Sequence, residues 1–408
     1  MPNLKIALFH SLIYGGAKRS VFELTKVLSK RHTVDLYNLS VAREDMFDLS
    51  SLVRNAYAFK YEKLFFKKPL GFLNIFIDFL NLYRLNKVYF KIARAIDDGG
   101  YDIAFIHASF FYYPHFPALL KYLDTPSVFY CQEVYRPYNT GVSIKTQTSL
   151  KRKILYLLYM PIYKLYTYYF QRNDRYNITQ ADLVCCNSYY EREEIYKTYT
   201  ISAKVNYLGV DVQKFKPRDI LKENLVLSIG HVEPRKAHDF VILALAALPR
   251  QIRPKLSVIY PPLTKDGTIG IEHKRYLEQL ADDNDVEVLF FEGVSEEELV
   301  LFYNKAKLTT CAFISEPFGL VPLESMACQT PVIAIGEGGL KESVIHNQTG
   351  ILTKRDIIEF SRAIEYLLKN EEIRIKMGRF CRRYVLENWT WEKSAGELEK
   401  SFLSIIKN

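Results

Sequence analysis

Residues 308–327 read LTTCAFISEPFGLVPLESMA and contain the repeating unit of the fold. Their first part, Leu308–Cys311, is a short uncharged run typical of a buried strand. Pro317, Gly319 and Pro322 then shape a loop that leads into an apolar helix. A strand, a loop and a helix in this order are the unit of a parallel, doubly wound α/β sheet.

The same stretch carries two carboxylates, Glu316 at the start of the loop and Glu324 in the helix. Such a pair can reach opposite ends of one ligand, with Glu316 accepting hydrogen bonds from sugar hydroxyls and Glu324 from a ribose. The alternative for Glu324 is simple helix stabilisation, because we expect it in the first turn, where a negative charge suits the helix dipole.

A second motif follows the strand Leu225–Ile229, namely Gly230-His231-Val232-Glu233-Pro234-Arg235-Lys236. Adjacent Arg235 and Lys236 can bind a diphosphate, lysine as a point charge and arginine as a fork. The alternative is a solvated helix start. Cations there oppose the helix dipole, so their presence predicts a compensating anion.

A third motif lies near the N-terminus, where the strand Lys5–Phe9 precedes Gly15, Gly16 and a helix over about 17–29. Paired glycines let the backbone approach a ligand, and the free N–H groups of a helix start attract phosphate. An ordinary turn is the alternative.

The whole chain alternates short apolar runs with helical patterns, and its 408 residues exceed what one core usually supports. We predict two Rossmann-like domains, residues 1–208 with a helical insert over about 54–96, and residues 209–385. A helix over 386–408 is expected to pack back on the first domain, and ligands are expected in a cleft at the carboxyl ends of the strands. The remaining strands are predicted at 33–39, 103–106, 127–131, 183–186, 205–208, 256–260, 286–291 and 332–335, and residues 356–407 are predicted to be helical.

The net charge of +9 is concentrated in two aromatic-rich stretches. Residues 54–94 hold nine Lys/Arg against Glu62 and Asp78, and residues 145–176 hold seven against Asp174. A basic helix with an aromatic face suits the surface of an anionic membrane, although an amphipathic helix packed on its own domain shows the same pattern. No nucleic-acid recognition module is legible, so nucleic acid is not an expected partner.

Composition also bears on cofactors and location. The six cysteines show no metal-ligand spacing, and we expect a reduced, cytoplasmic protein without a signal peptide or membrane-spanning helix. A peripheral position on the inner face of the membrane is the alternative that the basic stretches leave open. Asp283-Asn284-Asp285 is interpreted as a solvated turn rather than a metal site. No metal and no cofactor are predicted.

Taken together, these motifs resemble retaining glycosyltransferase family 4, whose members share the GT-B fold. The resemblance rests on Glu316-(x7)-Glu324, on the Gly-Gly-Ala-Lys-Arg and Glu-Pro-Arg-Lys stretches, on Gly-Val-Asp at 209–211, and on Pro-Val-Ile-Ala with Glu-Gly-Gly-Leu at 331–340. It implies metal-independent transfer of a hexose from a UDP- or GDP-linked donor to a glycan or lipid-linked acceptor.

The resemblance also implies roles for individual residues. Lys236 and a basic residue near Gly230 would hold the donor diphosphate, Glu316 the transferred sugar and Glu324 the ribose. His107 matches a histidine near the reacting sugar, and Gly15 with Gly16 should approach the diphosphate. Arg235 and the backbone amides of Phe318, Gly319, Leu320 and Val321 complete the implied site.

Three positions depart from the family pattern: His231 stands where arginine is usual, and Gln329 and Ala237 where glycine is common. We expect domain closure to bring Gly15, Gly16 and His107 against the donor, with cations and amides stabilising the leaving diphosphate. The alternatives are a nucleotide-sugar epimerase or phosphorylase, and a non-catalytic nucleotide-binding or membrane-associated module.

Overall fold

The computed structural model describes residues 2–12, 15–40, 47–65, 74–108, 118–134, 150–262 and 268–406. Two compact units divide the chain: residues 1–187, 192–206 and 395–408 form the first, and residues 188–191 and 207–394 the second. The main boundary therefore lies at 206/207, where the sequence placed it at 208/209. The C-terminal segment that groups with the first unit begins at Ala395 rather than at residue 386.

The first unit is built on a seven-stranded parallel sheet of order β3-β2-β1-β4-β5-β6-β7. In the part of this unit that the structure describes, helices α1 to α4 lie between the strands in the chain. Their bounds are β1 Lys5–His10, α1 Gly16–Leu28, β2 Thr33–Leu39, β3 Asn55–Phe59, α2 Asn74–Asp97, β4 Ile103–Ala108, β5 Ser127–Cys131, α3 Leu150–Ile178, β6 Leu183–Cys186, α4 Tyr189–Tyr199 and β7 Lys204–Val205.

The predicted helical insert over 54–96 is wrong at its start, because residues 55–59 form the edge strand β3. The carboxylate of Asp35 on β2 accepts hydrogen bonds from the Arg54 guanidinium and from the backbone N–H and side-chain amide of Asn55. Tyr57 then packs on Tyr37, with ring centroids 5.0 Å apart. These contacts with β2 outweigh the surrounding helical pattern. The strand predicted at 205–208 is also shorter, since β7 ends at Val205.

The second unit repeats the design with a six-stranded parallel sheet of order β10-β9-β8-β11-β12-β13. In the described residues its elements are β8 Leu225–Ile229, α5 His238–Ala246, β9 Lys255–Tyr260, α6 Thr268–Asp283, β10 Val288–Glu292, α7 Glu296–Lys305, β11 Leu308–Cys311, α8 Leu320–Ala327, β12 Val332–Ile335, α9 Leu340–Ser343, β13 Gly350–Thr353, α10 Ile357–Lys369 and α11 Glu371–Asn388. The last helix, α12 Trp391–Ile406, begins in the second unit and continues into the first.

The C-terminal helical region consists of three helices rather than one continuous segment, with breaks at Asn370 and at Trp389 and Thr390. Trp389 breaks the run because its ring packs against Phe318 and its carbonyl accepts a hydrogen bond from the N–H of Val210. Near the start of the second unit's α7, Ser295 and Glu298 form a capping box.

The later part of α12 belongs to the first unit. There the buried carboxylate of Glu399 accepts hydrogen bonds from Arg31, at 3.0 and 3.1 Å, and lies 3.1 Å from Nε2 of His32. The ring of Phe402 packs edge-on against Phe105, with centroids 5.3 Å apart. Residues distant in sequence thus complete the first core.

Three further sequence expectations concern the Asp-Asn-Asp stretch, the cysteines and membrane-spanning helices. Asp285 pairs with Arg250 at 2.9 Å; Asp283 ends α6, and Asn284 and Asp285 lie between α6 and β10. The six cysteines are free and buried. Across the described ranges, no helix is long and apolar enough to cross a membrane.

Candidate functional site

The candidate site lies where the order of strands in the second sheet reverses. β8 and β11 are neighbours there, and the connections after them leave the sheet at the same edge. The first connection leads to Lys236, and the second is the Glu316 loop, which we define as residues 313–319. The backbone N–H of Ile314 donates to the carbonyl of Arg235 at 2.8 Å, so the two segments are joined directly.

Lys236 and Glu316 form an ion pair at this point, with Nζ and Oε2 2.7 Å apart. Both side chains are less than one-fifth exposed, at 18% and 17%. Nζ of Lys236 also lies 4.7 Å from the centroid of the Phe313 ring, a cation–π distance. Within the described residues, Lys236 therefore has a compensating anion inside the protein, namely the carboxylate of Glu316.

The path of the Lys236 side chain depends on Gly230. A Cβ at position 230 would lie 3.0 Å from both Cγ and Cδ of Lys236. The missing side chain thus lets the lysine stem cross the end of β8 towards Glu316. The cations lie in a short 3-10 turn, Pro234–Lys236, which Ala237 separates from α5 with a left-handed φ of 49°.

Two histidines follow the same strand. Buried His238 shares hydrogen bonds with Ser228 Oγ, 2.7 Å from Nδ1, and with the carbonyl of His231, 3.2 Å from Nε2. The carbonyl can only accept, so Nε2 carries the proton and Nδ1 accepts from the serine hydroxyl. His238 thereby fixes the turn that contains His231. Sequence reasoning missed it, because nothing local distinguishes it from a core residue.

The protonation of these histidines follows from burial. Burial lowers the pKa of His238 to about 4, so its imidazole is neutral near pH 7. Burial is the largest influence on His231 and lowers its pKa; Glu233 and Glu316 act in the opposite direction, and Lys236 adds to the lowering. His231 therefore departs from the arginine usual at this position, because its side chain does not carry a permanent positive charge.

Glu324 is nearly buried, and its Oε2 accepts a hydrogen bond of 2.8 Å from the hydroxyl of Tyr303 on α7. The prediction that it lies in the first helical turn is wrong: α8 begins at Leu320, so Glu324 is in the second turn. Tyr303 escaped sequence reasoning because it comes from a different helix.

At the start of α8, only the backbone amides are placed as expected for binding an anion. The Phe318 side chain is buried against Tyr207 and Trp389, with centroids 6.1 and 5.6 Å away. Gly319 precedes the helix, and Leu320 and Val321 occupy its first turn. Amides in such positions have no acceptor within the helix, so they are the groups that can face an anion.

Arg355 braces the base of the Glu316 loop. Its guanidinium donates to the carbonyls of Ala312 and Phe313 at 2.9 and 2.8 Å, and pairs with Glu337 at 2.7 Å. Sequence reasoning missed this role, because the contacts join the residues just after β11 to a residue beyond β13.

The remaining predicted residues lie in the first unit, where β1 and β4 form the corresponding reversal of strand order. Gly15 has a φ of 93°, and α1 starts at Gly16. His107 lies within β4 rather than after it, and is paired in register with His10 on β1.

His107 is fully buried among aromatic rings. Its imidazole stacks on Tyr130 at a centroid distance of 5.1 Å and meets Phe105 edge-on at 4.3 Å. The amide nitrogen of Gln132 lies 3.4 Å from its Nδ1 and donates to Ser20 of α1 at 2.8 Å. Burial, with a smaller contribution from His10, holds the pKa of His107 well below its usual value.

With both units described, comparison with known proteins decides the family. Residues 14–214 match the family model described as Glycosyltransferase Family 4, and residues 210–383 match Glycosyl transferases group 1. The chain belongs to glycosyltransferase family 4. This membership confirms the resemblance inferred from the motifs.

Curated relatives of this family 4 protein are distant. The chain is 26% identical over 253 residues to the mouse "Alpha-1,3/1,6-mannosyltransferase ALG2", a match covering 57% of this chain and 61% of that protein. It is 28% identical over 241 residues to a Mycobacterium tuberculosis "GDP-mannose-dependent alpha-(1-6)-phosphatidylinositol monomannoside mannosyltransferase", covering 53% and 60%. The matches thus span less than two-thirds of these relatives.

Solved structures confirm the GT-B fold. "Sucrose-phosphate synthase" from Thermosynechococcus elongatus superposes with a TM-score of 0.73 at 20% identity, covering 99% of this chain and 100% of that one. Anabaena "Alr3699/HepE in complex with UDP and glucose" gives 0.70 at 18% identity, covering 98% and 100%.

Proposed function

We propose that this family 4 protein is a retaining glycosyltransferase that moves a hexose from a UDP- or GDP-linked donor to a glycan or lipid-linked acceptor. The observation that carries the proposal is the Lys236–Glu316 ion pair at the reversal of the second sheet, with Glu324 on the following helix. The named activities of the relatives and the UDP and glucose bound by the Anabaena protein support the donor class.

The chemistry assigned to these groups follows from their positions. Lys236, held beside Glu316, supplies the positive charge that stabilises a leaving diphosphate, and the amides of Leu320 and Val321 add partial positive charge. Glu316 accepts hydrogen bonds from the transferred sugar, and Glu324 from the ribose. With protein cations in these places, the proposed transfer needs no metal ion.

Retention is proposed through attack on the same face of the sugar. The bond between the anomeric carbon and the diphosphate oxygen breaks, and the acceptor oxygen forms the new bond. A leaving phosphate oxygen takes the acceptor's proton, so the chain supplies no covalent nucleophile. His107 of the first unit is assigned to the reacting sugar.

The test is a thermal-shift screen of UDP- and GDP-hexoses, followed by turnover with a polyprenyl-diphosphate glycan. We expect stabilisation by one donor and nucleotide release that depends on the acceptor. Glu316→Gln should remove turnover while leaving the melting temperature unchanged. Donor consumption without acceptor would instead support an epimerase, a requirement for free phosphate would support a phosphorylase, and binding without turnover would support a nucleotide-binding module.

The acceptor is proposed to lie at an anionic membrane, because the first unit presents an apolar face on α2 and α3. The two helices pack through Phe79, Tyr166 and Phe170, and the Tyr166 hydroxyl donates to Asp78 at 2.9 Å. The exposed side chains beside this seam form what we name the α2–α3 face. It comprises Phe76, Phe79, Leu80, Tyr83, Ile162, Leu165, Tyr168 and Tyr169.

Cations accompany the α2–α3 face. Lys87 lies over the ring of Tyr83 at 4.5 Å, and exposed Lys164 and Arg172 flank the α3 side. Aromatic rings with neighbouring cations suit the headgroup layer of an anionic bilayer. Residues 66–73 and 145–149, and the side chains of 150–159, belong to the same basic stretches but lie outside the described residues.

Flotation with vesicles of phosphatidylcholine, alone or mixed with phosphatidylglycerol, tests this surface. We expect binding only to the mixed vesicles, and its loss in Phe76→Ser/Leu165→Ser. The matched control is Leu221→Ser/Ile358→Ser, which removes two exposed aliphatic side chains from the second unit. Equal flotation of the two double variants, or none by the parent protein, would reject the membrane surface.

A further inference from the structure

The Glu316 loop is held by groups that the proposed chemistry does not use. The backbone N–H of Gly339 donates to the carbonyl of Glu316 at 2.9 Å, and Ser188 Oγ donates to the carbonyl of Pro317 at 2.6 Å. Within the loop, Ser315 has a φ of 53°, which is strained for a residue other than glycine. Such a conformation persists only where neighbouring groups fix it.

The first support is the Gly338–Gly339 turn. Gly338 has a φ of 59°, and a Cβ there would lie 2.4 Å from the carbonyl oxygen of Glu316. A Cβ on Gly339 would lie 2.2 Å from the carbonyl oxygen of Pro317. The two backbones are therefore in direct contact, and a side chain at either position would separate them.

The second support is Ser188, which is fully buried. Its Oγ accepts a hydrogen bond of 2.9 Å from the N–H of Glu191, so it caps α4 while donating its one proton to Pro317. Residues 188–191 group with the second unit, as the Glu316 loop does. A single hydroxyl thus links the start of a helix to the proposed sugar-binding loop.

Glu342 connects the two supports. It lies on α9, directly after the glycine turn, and its carboxylate accepts hydrogen bonds from the N–H groups of Tyr189 and Tyr190 at 2.9 and 2.8 Å. The hydroxyl of Tyr207 donates to the same carboxylate at 2.8 Å. Its negative charge is placed at the start of α4, where the helix dipole stabilises it.

These contacts close a ring from the loop through Ser188, the start of α4, Glu342 and Gly339 back to the loop. We propose that Ser188 and Glu342 are positioning residues that set the orientation of the Glu316 carboxylate towards the sugar. The inference rests on the proposed function, since it assigns Glu316 to the transferred hexose. It predicts an effect on turnover rather than on nucleotide binding, because the nucleotide is assigned to Glu324.

The test compares Ser188→Ala with Ser188→Thr, which keeps the hydroxyl, and with Ser295→Ala. Ser295 is a matched control because it caps α7 in the same unit, and no described contact joins it to the Glu316 loop. Steady-state kinetics with the donor found for the parent protein, and calorimetric titration with free UDP or GDP, are measured for each variant.

We expect Ser188→Ala to lower kcat by about tenfold, the effect of losing one well-placed hydrogen bond, without changing affinity for the free nucleotide. Ser188→Thr should restore kcat to the value of the parent protein. Ser295→Ala should keep that kcat while losing about as much thermal stability as Ser188→Ala. Glu342→Gln should lower kcat in the same way as Ser188→Ala. Equal kcat in Ser188→Ala and Ser295→Ala, or equal losses in the alanine and threonine variants, would overturn the inference.

Hydrogen exchange separates failure of the positioning role of Ser188 from failure of the proposed function. Without any substrate, Ser188→Ala should speed amide exchange in residues 313–319, and Ser295→Ala should not. If the parent protein turns over no donor, the proposed function fails while the exchange result still tests how the loop is held. Unchanged exchange in Ser188→Ala would show that Ser188 does not position the loop.

Discussion

The two sheets reverse their strand order in the same way, yet the residues at the two reversals differ in charge and exposure. In the second unit, Lys236 and Glu316 are partly exposed and form an ion pair. In the first, His107 is fully buried between aromatic rings and neutral. Topology therefore decides where a site can form, and the side chains decide whether that place handles charge or neutral hydrogen bonds.

The strongest way to break this comparison is to remove the charge in the second unit. Lys236→Ala should reduce transfer by about 100-fold to 1,000-fold, because one preorganised group that stabilises developing charge contributes that much. Initial rates with the identified donor measure the effect. Lys376→Ala, which removes an exposed lysine from α11, serves as the control. A rate within twofold of the parent protein would remove Lys236 from the catalytic site.

The second unit also holds a buried, neutral histidine, His238, whose protonation can be tested through the pH dependence of protein stability. The pKa of His238 falls from 6.5 in the unfolded chain to about 4 in the folded protein. Its contribution to the free energy of unfolding is therefore complete above pH 6.5 and is lost as the pH falls towards 4. The loss should approach about 3 kcal/mol of unfolding free energy. Urea unfolding of parent and His238→Asn at pH 7 and pH 4.5 measures it, and the variant should show the smaller pH dependence. Equal pH dependence in both proteins would contradict the assignment.

Replacing His107 sharpens the comparison from the other side. His107→Ala should lower turnover by about tenfold to 100-fold, the cost of a lost hydrogen bond to a group that gains charge. The pH dependence of the parent rate between 6.5 and 8 should not report His107, because its lowered pKa leaves it neutral there. His346→Ala in the second unit is the control. An equal turnover rate in the two variants would show that His107 does not contribute to turnover.

The smallest effect is expected at Glu324, which we propose binds the ribose. Tyr303→Phe removes the hydroxyl that donates to Glu324, and should weaken nucleotide binding by about tenfold with little change in kcat. Titration calorimetry with free UDP or GDP measures the change. A larger loss in kcat than in nucleotide affinity would place Glu324 nearer the reacting sugar.

The reversals also show how far sequence reasoning reaches. Strands such as Ser127–Cys131 and Leu308–Cys311 were predicted at their observed bounds, because buried apolar runs are a local signal. β3 and β13 were missed: β3 is an exposed edge strand, and β13 follows a turn without a strong apolar run.

Within the candidate site, sequence reasoning found the residues that belong to motifs but not the residues that hold them in place. Glu316 and Lys236 stand in recognisable local patterns, whereas Tyr303, Arg355 and Ser188 act on segments distant in sequence. Such partners become visible only when the fold brings them together. The Lys236–Glu316 pair itself was not predicted, because the two residues are 80 positions apart in the sequence.

The C-terminal part of α12 has a consequence for biosynthesis. Glu399, which joins Arg31 and His32, leaves the ribosome only after the whole second unit has been made. Until then, the first unit lacks the carboxylate and the Phe402 ring that cover part of its core. The nascent first unit must therefore wait in an incomplete state, so the second unit can finish folding before the first.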